Sequence, residues 1–340
     1  MKPSNIRSSI LACWNVDGGH HTVFNVMGKP GGGKSSVARA IFKELMATKG
    51  IPEANYVEIN PSLMESTDFL GVPDITGECT RWCPPSELYR LRDGQGPCCL
   101  LIEEMADAAM DVQNPLCRLI LDRYAGQLKL TDELYIIATS NRTQDKSGAN
   151  RLSTKLANRM RYLAYEESLE DWLEWARKEG INPLVRAFLR FRPALFSPDF
   201  NTSEVANATP RSWVDVARIP IDVLPKNDFR ELVAGSVGDG PAMEYCGFLD
   251  VYRDLPDLSN VFKEPEKAEV PTNESVQFAV LTKLASMVKK PQAAAFCTYV
   301  GRFPVEFQTF VFRELSISEH PITRTPAFIK LATQLQQYLV

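Results

Sequence analysis

The first half of the chain alternates short, continuous apolar runs with amphipathic or polar stretches. The apolar runs are TVFNVM (22–27), YVEIN (56–60), PCCLLIEE (97–104) and ELYIIATSN (133–141). Continuous apolar strands separated by helices are typical of a parallel sheet that is covered on both faces. The pattern up to about residue 165 therefore predicts a three-layer α/β core built on a parallel sheet.

Beyond residue 165 the pattern predicts helices. Ser168 and Asp171 have the spacing of a capping box, and Gly180 supplies a left-handed stop. A second helix is expected at PRSWVDVAR, and residues 226–340 have helical periodicity almost throughout. The last helix, PAFIKLATQLQQYLV, places one apolar stripe on Phe328, Leu331, Leu335 and Tyr338.

Composition narrows the function classes. The chain has 340 residues, of which 44% are hydrophobic, and a formal charge of −4 with a pI of about 5.6. An acidic chain of this size argues for two or three domains and against a surface built mainly for nucleic acid. The RAFLRFR segment carries Arg186, Arg190 and Arg192, which we interpret as a solvated helix face.

The sequence gives no sign of a membrane segment or of a structural metal. It has no apolar run near the ~18 residues that cross a bilayer, and the apolar core of its N-terminal stretch is too short for a secretory signal. The expected location is therefore cytoplasmic. Its eight cysteines are scattered. Cys79 and Cys83 lack a second pair at zinc-binding spacing, so structural zinc is not expected. In a reducing compartment the cysteines are expected to act as small buried apolar residues.

The most specific motif lies between the first predicted strand and the first predicted helix. Residues Gly28 to Ser35 match G-x-x-x-x-G-K-[ST] at every fixed position. Glycines let the backbone turn its N–H groups towards phosphate oxygens, and the helix that follows adds its positive dipole end. Lys34 is then expected to reach the β- and γ-phosphates, and the Ser35 hydroxyl to bind Mg²⁺.

Polar residues end two other predicted strands. CCLLIEEM places Glu103 and Glu104 at the carboxyl end of a buried strand, where parallel sheets hold their ligands. We assign Glu103 to Mg²⁺ and Glu104 to the attacking water. Asn141 ends LYIIATSN and is expected to contact the γ-phosphate or that water. This combination favours hydrolysis over transfer to an acceptor, and SNRTQDKS lacks the spacing of a guanine-reading tetrad.

In this order of motifs the chain resembles an AAA+ ATPase, and within that group the MoxR type. The resemblance covers about residues 20 to 220, including LSTKLANRM and TPRSW. It implies a P-loop AAA+ core with a parallel sheet over residues 1–165, a helical lid over 166–225 and a helical C-terminal extension over 226–340. It also implies a pore-facing hairpin within residues 68–85.

The resemblance implies the roles of individual residues. Lys34, Glu104 and Asn141 are implied in catalysis, with Ser35 and Glu103 on the metal. Arg159 falls on the arginine finger, which acts on the neighbouring subunit's nucleotide, and Arg151 and Arg161 are its nearby competitors. The implied nucleotide-binding set is Gly28, Pro30, Gly31, Gly32, Gly33, Lys34, Ser35, Ser36 and, as sensor 2, Arg211.

One position departs from the family. The first acid of the pair is usually Asp, and here it is Glu103. Its extra methylene moves the carboxylate about 1 Å further towards the metal, and we expect hydrolysis to continue, at a reduced rate.

The expected function is an ATP- and Mg²⁺-dependent ring, a hexamer, that remodels or activates a protein client. By the resemblance, that client is a von Willebrand factor A domain protein. The alternative is a nucleic-acid-directed AAA+ machine such as a helicase, loader or clamp loader, which the acidic composition disfavours. A third reading is an ATP-gated scaffold in which Glu103 impairs hydrolysis.

Overall fold

A computed structural model describes residues 1–142, 152–201, 203–221, 223–317 and 320–336. The chain divides into two compact units, Met1–Asp171 and Trp172–Val340, which are described separately below. The division falls six residues after the predicted end of the core. The second unit is helical, as the sequence predicted, and the boundary between lid and extension at residue 225 stays a prediction.

The first unit contains the predicted parallel sheet. Its elements are α1 (Pro3–Trp14), β1 (Phe24–Gly28), α2 (Lys34–Lys49), β2 (Tyr56–Ile59), α3 (Thr67–Leu70), β3 (Val72–Asp74), β4 (Arg81–Cys83), α4 (Ser86–Tyr89), β5 (Cys98–Ile102), α5 (Met110–Asp122), β6 (Tyr124–Ala125), β7 (Leu128–Lys129), β8 (Leu134–Asn141), α6 (Thr154–Ala157) and β9 (Arg161–Ala164). Among the residues described, five strands form this sheet in the order β2-β5-β8-β1-β9, and every pairing is parallel.

Both faces of this sheet are covered, which makes the core three-layered. One face packs against α1 and α2, through an apolar cluster that contains Trp14, Phe42 and Tyr135. The other face packs mainly against α5, through a cluster that contains Leu116 and Ile136. The parallel register brings the carboxyl ends of β1, β5 and β8 to one edge, which is where the predicted motif residues follow.

The N-terminal helix was not predicted. In α1 the buried residues Ile6, Ile10 and Trp14 recur every fourth position, so one stripe of the helix enters the core. Trp14 stacks on Phe42 of α2 at a ring-centroid distance of 5.7 Å. The flanking polar residues hid this stripe, because only three large side chains carry it.

The second unit is built from helices that follow α7 (Leu169–Lys178), which crosses the division. They are α8 (Pro183–Phe191), α9 (Pro210–Arg218), α10 (Lys226–Val237), α11 (Asp239–Arg253), α12 (Glu274–Met287), α13 (Ala293–Val300), α14 (Val305–Ile317) and α15 (Pro326–Gln334). Gly180 has a φ of 69°, which confirms the predicted left-handed stop. Of the predicted stripe in the last helix, Phe328 and Leu335 are buried, and Tyr338 lies outside the described residues.

The interpretation of RAFLRFR as a solvated face was wrong for Arg186 and Arg190, whereas Arg192 is exposed. Arg190 and Arg186 form ion pairs with Glu314 of α14 at 2.9 and 3.5 Å, and their side chains are only 15% and 13% exposed. Arg192 pairs with Glu244 at 2.9 Å. Arg186 and Arg190 therefore hold two helices together, because a part-buried charge needs a partner.

No helix in the part of the chain that the structure describes has the length and apolar character needed to span a bilayer.

Candidate functional site

The predicted phosphate loop connects β1 to α2 and depends on glycine conformations. Gly31 and Gly33 have φ angles of 72° and 96°, a region that side chains with a Cβ rarely adopt. Gly33 is also the N-cap residue of α2, so the chain enters the helix directly from this left-handed position. The backbone N–H groups that follow Gly33 therefore lie at the start of a 16-residue helix, where anions bind favourably.

Two further glycines make room for a neighbouring segment. A Cβ on Gly28 would lie 3.0 Å from the Cβ and the carbonyl oxygen of Tyr165, and one on Gly32 would lie 2.5 Å from Glu167 Oε1. The hydroxyl of Tyr165 donates a hydrogen bond of 2.7 Å to the Gly32 carbonyl oxygen. The segment after β9 thus packs against the loop, and the absence of a side chain on Gly32 makes room for Glu167.

Tyr165 is a site residue that the sequence did not reveal. It is 5% exposed, and burial raises its pKa well above the usual value for tyrosine, with Glu167 and Asp171 adding to the shift. Its hydroxyl therefore stays protonated and remains a donor to the loop. A lone tyrosine in LAYEES carries no motif, and its contact spans 133 residues of sequence.

The Lys34 ammonium group joins the loop to β8. It donates hydrogen bonds to the carbonyl oxygens of Gly28 at 3.0 Å and Lys29 at 2.7 Å, and to Asn141 Oδ1 at 2.9 Å. The lysine is only 8% exposed. The lysine predicted to reach the phosphates and the asparagine predicted to contact the γ-phosphate or the attacking water are thus in direct contact.

Asn141 also contacts a carboxylate that the sequence analysis missed. Its Nδ2 donates to Asp107 Oδ2 at 3.4 Å. The pKa of Asp107 is raised, first by burial and then by the charge of Glu104, while Asn141 and Lys34 oppose the shift. The signal available in the sequence was weak, because Asp107 follows Glu104 by three residues in a turn-forming stretch.

Glu104 has an unusual backbone and two side-chain contacts. Its φ of 50° and ψ of 37° lie in the left-handed region, which is uncommon for a residue other than glycine and recurs at functional sites. Its Oε2 accepts hydrogen bonds from Asn60 Nδ2 at 3.2 Å and Ser62 Oγ at 3.3 Å. These two donors follow β2, the strand beside β5.

Glu103 is held by an arginine on α2. Its Oε1 accepts a hydrogen bond of 2.8 Å from Arg39 Nη2. The same guanidinium binds both carboxylate oxygens of Glu58, with Nε–Oε1 at 2.9 Å and Nη2–Oε2 at 2.8 Å. Glu58 also accepts a short hydrogen bond from Tyr56. The pKa of Glu58 is lowered, chiefly by the Arg39 hydrogen bonds.

The three candidate finger arginines have different surroundings. Arg159 follows α6 and is exposed, and its backbone N–H donates to the Leu156 carbonyl oxygen at 3.2 Å. Arg161 is also exposed and lies on β9, with its Nη1 3.9 Å from Cys13 Sγ. Arg151 lies outside the described residues. The side chain of Arg159 is therefore not buried in its own core.

Arg211 belongs to the second unit. It is exposed in the first turn of α9, whose N-terminus carries a capping box between Thr209 and Ser212. The cap fixes where the helix begins, and hence where Arg211 stands on it.

The predicted hairpin within residues 68–85 is present. Strands β3 and β4 pair antiparallel, with Val72 opposite Cys83 and Asp74 opposite Arg81. Its apolar side chains face solvent, with Val72 69% and Ile75 77% exposed. The apolar side chains of this hairpin are therefore not part of the core.

The donor atoms fit a nucleotide-bound Mg²⁺ rather than a metal cage. Within the described ranges, no group of three or more His, Cys, Asp or Glu residues is placed to hold a metal ion. Mg²⁺ at nucleotide sites uses one or two carboxylates together with phosphate oxygens and water. The half-buried hydroxyl of Ser35 and the carboxylate of Glu103 are hard oxygen donors of that kind.

Residues 24–160 match the family model described as AAA domain, dynein-related subfamily. Together with the parallel sheet covered on both faces, this match shows that the segment has the P-loop NTPase fold of an AAA domain. The matched segment contains the loop, both acids, Asn141 and Arg159. A search of curated proteins finds no match.

Solved structures give distant likenesses. NtrX from Brucella abortus is 17% identical, with a TM-score of 0.37 over 99% of this chain and 67% of that one. A point mutant of RuvB from Thermotoga maritima is 14% identical, with a TM-score of 0.41 over 85% of this chain and 91% of that one. A DNA polymerase III gamma subunit-related protein from Thermotoga maritima is 11% identical, with a TM-score of 0.37 over 99% and 98%. We infer nothing about function from likenesses of this size.

Proposed function

We propose that this protein is an AAA+ ATPase of the MoxR type, which assembles into a hexameric ring and uses ATP to remodel or activate a protein client. The observation that carries the proposal is the direct contact of Lys34 with Asn141, which joins the phosphate loop to the strand next to Glu104. When phosphate oxygens compete for the hydrogen bonds of Lys34, its contact with Asn141 can change, so nucleotide binding can be transmitted to Asn141.

ATP would be held by the loop and the first residues of α2. The backbone from Gly31 to Gly33 and the dipole of α2 would hold the phosphates, with Lys34 supplying positive charge. Pro30 and Ser36 complete the loop, and Arg211 is proposed as sensor 2. Ser35 and Glu103 would hold Mg²⁺, which supplies charge neutralisation at the phosphates when bound.

Glu104 is the proposed general base. Its exposed carboxylate, at the carboxyl end of β5, can accept a proton from a water molecule. Oε2 accepts hydrogen bonds from Asn60 and Ser62, which restrain the side chain, and Oε1 is the oxygen that we propose to accept the proton. Arg159 would stabilise the developing charge in a neighbouring subunit's site, which makes hydrolysis depend on assembly.

A protein client is favoured over nucleic acid by the charges of the second unit. Arg186 and Arg190 are committed to Glu314, and the whole chain is acidic. The exposed apolar side chains of the β3–β4 hairpin suit contact with a polypeptide. A von Willebrand factor A domain protein is the client that the family resemblance suggests.

The test uses Glu104→Gln, which keeps the size of the side chain and one acceptor oxygen but cannot accept the proton. We expect the wild type to release phosphate from ATP and the variant to bind ATP without turnover. A wild type that is as inactive as the variant would leave an ATP-gated scaffold instead of an ATPase.

The same variant identifies the client. Because it should bind ATP without hydrolysing it, the variant should retain a protein partner in a pull-down. It should also form a ring that mass photometry detects. Recovery of DNA or RNA alone, with nucleic-acid-stimulated turnover that falls steeply with salt, would replace the client hypothesis with a nucleic-acid machine.

A further inference from the structure

The carboxylate assigned to the metal already has a cationic partner. Arg39 Nη2 lies 2.8 Å from Glu103 Oε1. Arg39 stands four residues after Ser35 in α2, and residues four apart share a helix face. Helical side chains lean towards the N-terminus, so that of Arg39 lies over the turn that contains Ser35. The guanidinium group therefore contacts one residue assigned to Mg²⁺, Glu103, and belongs to the helix face that carries the other, Ser35.

Arg39 does not depend on Glu103 for its neutralisation. Glu58 binds the guanidinium through three hydrogen bonds, at 2.9, 3.2 and 2.8 Å, whereas Glu103 receives one. A bidentate carboxylate contact is the stronger and more directional of the two. Arg39 can therefore release Glu103 and remain paired with Glu58.

The length of Glu103 makes the contact possible. A glutamate side chain is one C–C bond longer than that of aspartate, which places its carboxylate about 1 Å further from the backbone. From the end of β5, an aspartate at this position would leave the 2.8 Å contact with Arg39 too long for a hydrogen bond. The departure from the family's usual aspartate and the presence of Arg39 are thus two parts of one arrangement.

We infer that Arg39 is a resident counter-cation of Glu103, which the carboxylate exchanges for the hydrated Mg²⁺ of the nucleotide. The inference rests on the proposed function. Arg39 is a positioning residue, since it acts through Glu103. Arg39 and Mg²⁺ compete for the Glu103 carboxylate, because Glu103 must leave Arg39 before it contacts the hydrated Mg²⁺. This competition raises the Mg²⁺ concentration that the site requires.

The experiment measures how Mg²⁺ strengthens nucleotide binding. A fluorescent ATP analogue is bound to the Glu104→Gln protein, first in EDTA and then across a Mg²⁺ titration. In the same background, Arg39→Gln should lower the Mg²⁺ concentration for half-saturation by about tenfold, the change expected for one lost charge-assisted hydrogen bond. Binding in EDTA should stay unchanged. The difference should shrink at high salt, because the Arg39 side chain is 46% exposed.

A second variant leaves the Arg39–Glu58 pair in place, so the test does not depend on whether Arg39→Gln folds. Glu103→Asp shortens the carboxylate out of reach of Arg39 and should lower the Mg²⁺ requirement in the same direction. Adding Arg39→Gln to Glu103→Asp should then have no further effect. Arg7→Gln is the matched control, because Arg7 pairs at 2.5 Å with Glu44 of α2, the helix that carries Arg39, without contacting Glu103.

The outcomes separate this inference from the proposed function. A higher Mg²⁺ requirement in Arg39→Gln would mean that Arg39 holds Glu103 ready for the metal, and would overturn the exchange. Full additivity of the two substitutions would also overturn it, because the residues would then act independently. Absence of nucleotide binding in every variant, in EDTA and in saturating Mg²⁺ alike, would instead refute the proposed function.

Discussion

Lys34 Nζ and Asn141 Oδ1 are 2.9 Å apart, although 107 residues of sequence separate them. The first residue begins α2 after the phosphate loop, and the second ends β8 beside β1. The parallel sheet makes this meeting possible, because it brings the carboxyl ends of both strands to one edge. Under the proposed function, this contact would link the residue that binds the phosphates to the residue that senses hydrolysis.

Removing the Asn141 amide should separate binding from turnover. We expect Asn141→Ala to lower kcat about 100-fold, the cost of losing one placed polar group at a reacting centre, and to change the ATP dissociation constant little. The measurements are steady-state phosphate release and equilibrium ATP binding. Asn158→Ala, an exposed asparagine after α6, is the control. Equal losses in binding and turnover would contradict a sensing role for Asn141.

The Asn60–Glu104 hydrogen bond predicts a restraint on the base. Asn60→Ala removes one of two donors to Glu104 Oε2, and we expect basal turnover without a client to rise about threefold. Asn60 also caps the short helical turn at Pro61–Leu63, so the variant should lose about 1 kcal/mol of stability.

Asn273→Ala controls for that loss. Asn273 caps α12 in the second unit and accepts from Ser275 and Val276 in the same way, without contacting Glu104. It should be destabilised without any gain in turnover. A slower Asn60→Ala enzyme would show that Asn60 aligns Glu104 for the reaction instead of restraining it.

The Tyr165 hydroxyl predicts an effect on nucleotide affinity. Tyr165→Phe keeps the ring against Gly28 but loses the hydrogen bond to Gly32, so the loop gains freedom that binding must remove. We expect the ATP dissociation constant to rise about fivefold to tenfold. Because burial raises the pKa of Tyr165, the effect should be the same from about pH 6 to 9.

Tyr299→Phe is the matched control, since that hydroxyl donates to the Glu269 carbonyl oxygen at the same 2.7 Å in the second unit. It should lose a similar amount of stability and keep its ATP affinity. Unchanged affinity in both variants would mean that the phosphate loop is rigid without Tyr165.

The sequence predicted the parts of the fold that local pattern controls. Strand β8 was expected at 133–141 and observed at Leu134–Asn141, because a run of mostly apolar or small residues has few alternatives to a buried strand. The helical second unit followed from the same periodicity. The hairpin within residues 68–85 came from the family resemblance, since its exposed apolar residues have no core pattern.

The partners of the site residues could not be predicted in the same way. Arg39 and Glu103 are 64 residues apart, and Glu104 and Asn60 are 44 apart, so their contacts exist only after the sheet has formed. Arg39 in particular has the pattern of an ordinary exposed helix residue. The sequence therefore identified the residues with motifs, and the tertiary structure supplied the side chains that hold them.

The exposed position of Arg159 gives the test of assembly. We expect Arg159→Ala to lower kcat at least about 1,000-fold while ATP binding and ring formation persist, because the residue acts on a neighbour's site. Arg161→Ala, two residues further on and also exposed, is the control and should keep its turnover. Phosphate release, ATP binding and mass photometry measure the three properties separately.

Mixing two inactive proteins decides whether Arg159 acts between subunits. The Arg159→Ala subunit keeps its own Glu104, and the Glu104→Gln subunit keeps its Arg159, so one interface in a mixed ring combines both intact residues. Activity should therefore reappear on mixing, since that interface can complete the site that each pure ring lacks. If the mixture stays as inactive as its components while mixed rings form, or if Arg159→Ala alone retains full turnover, Arg159 is not the finger and Arg161 becomes the next residue to test.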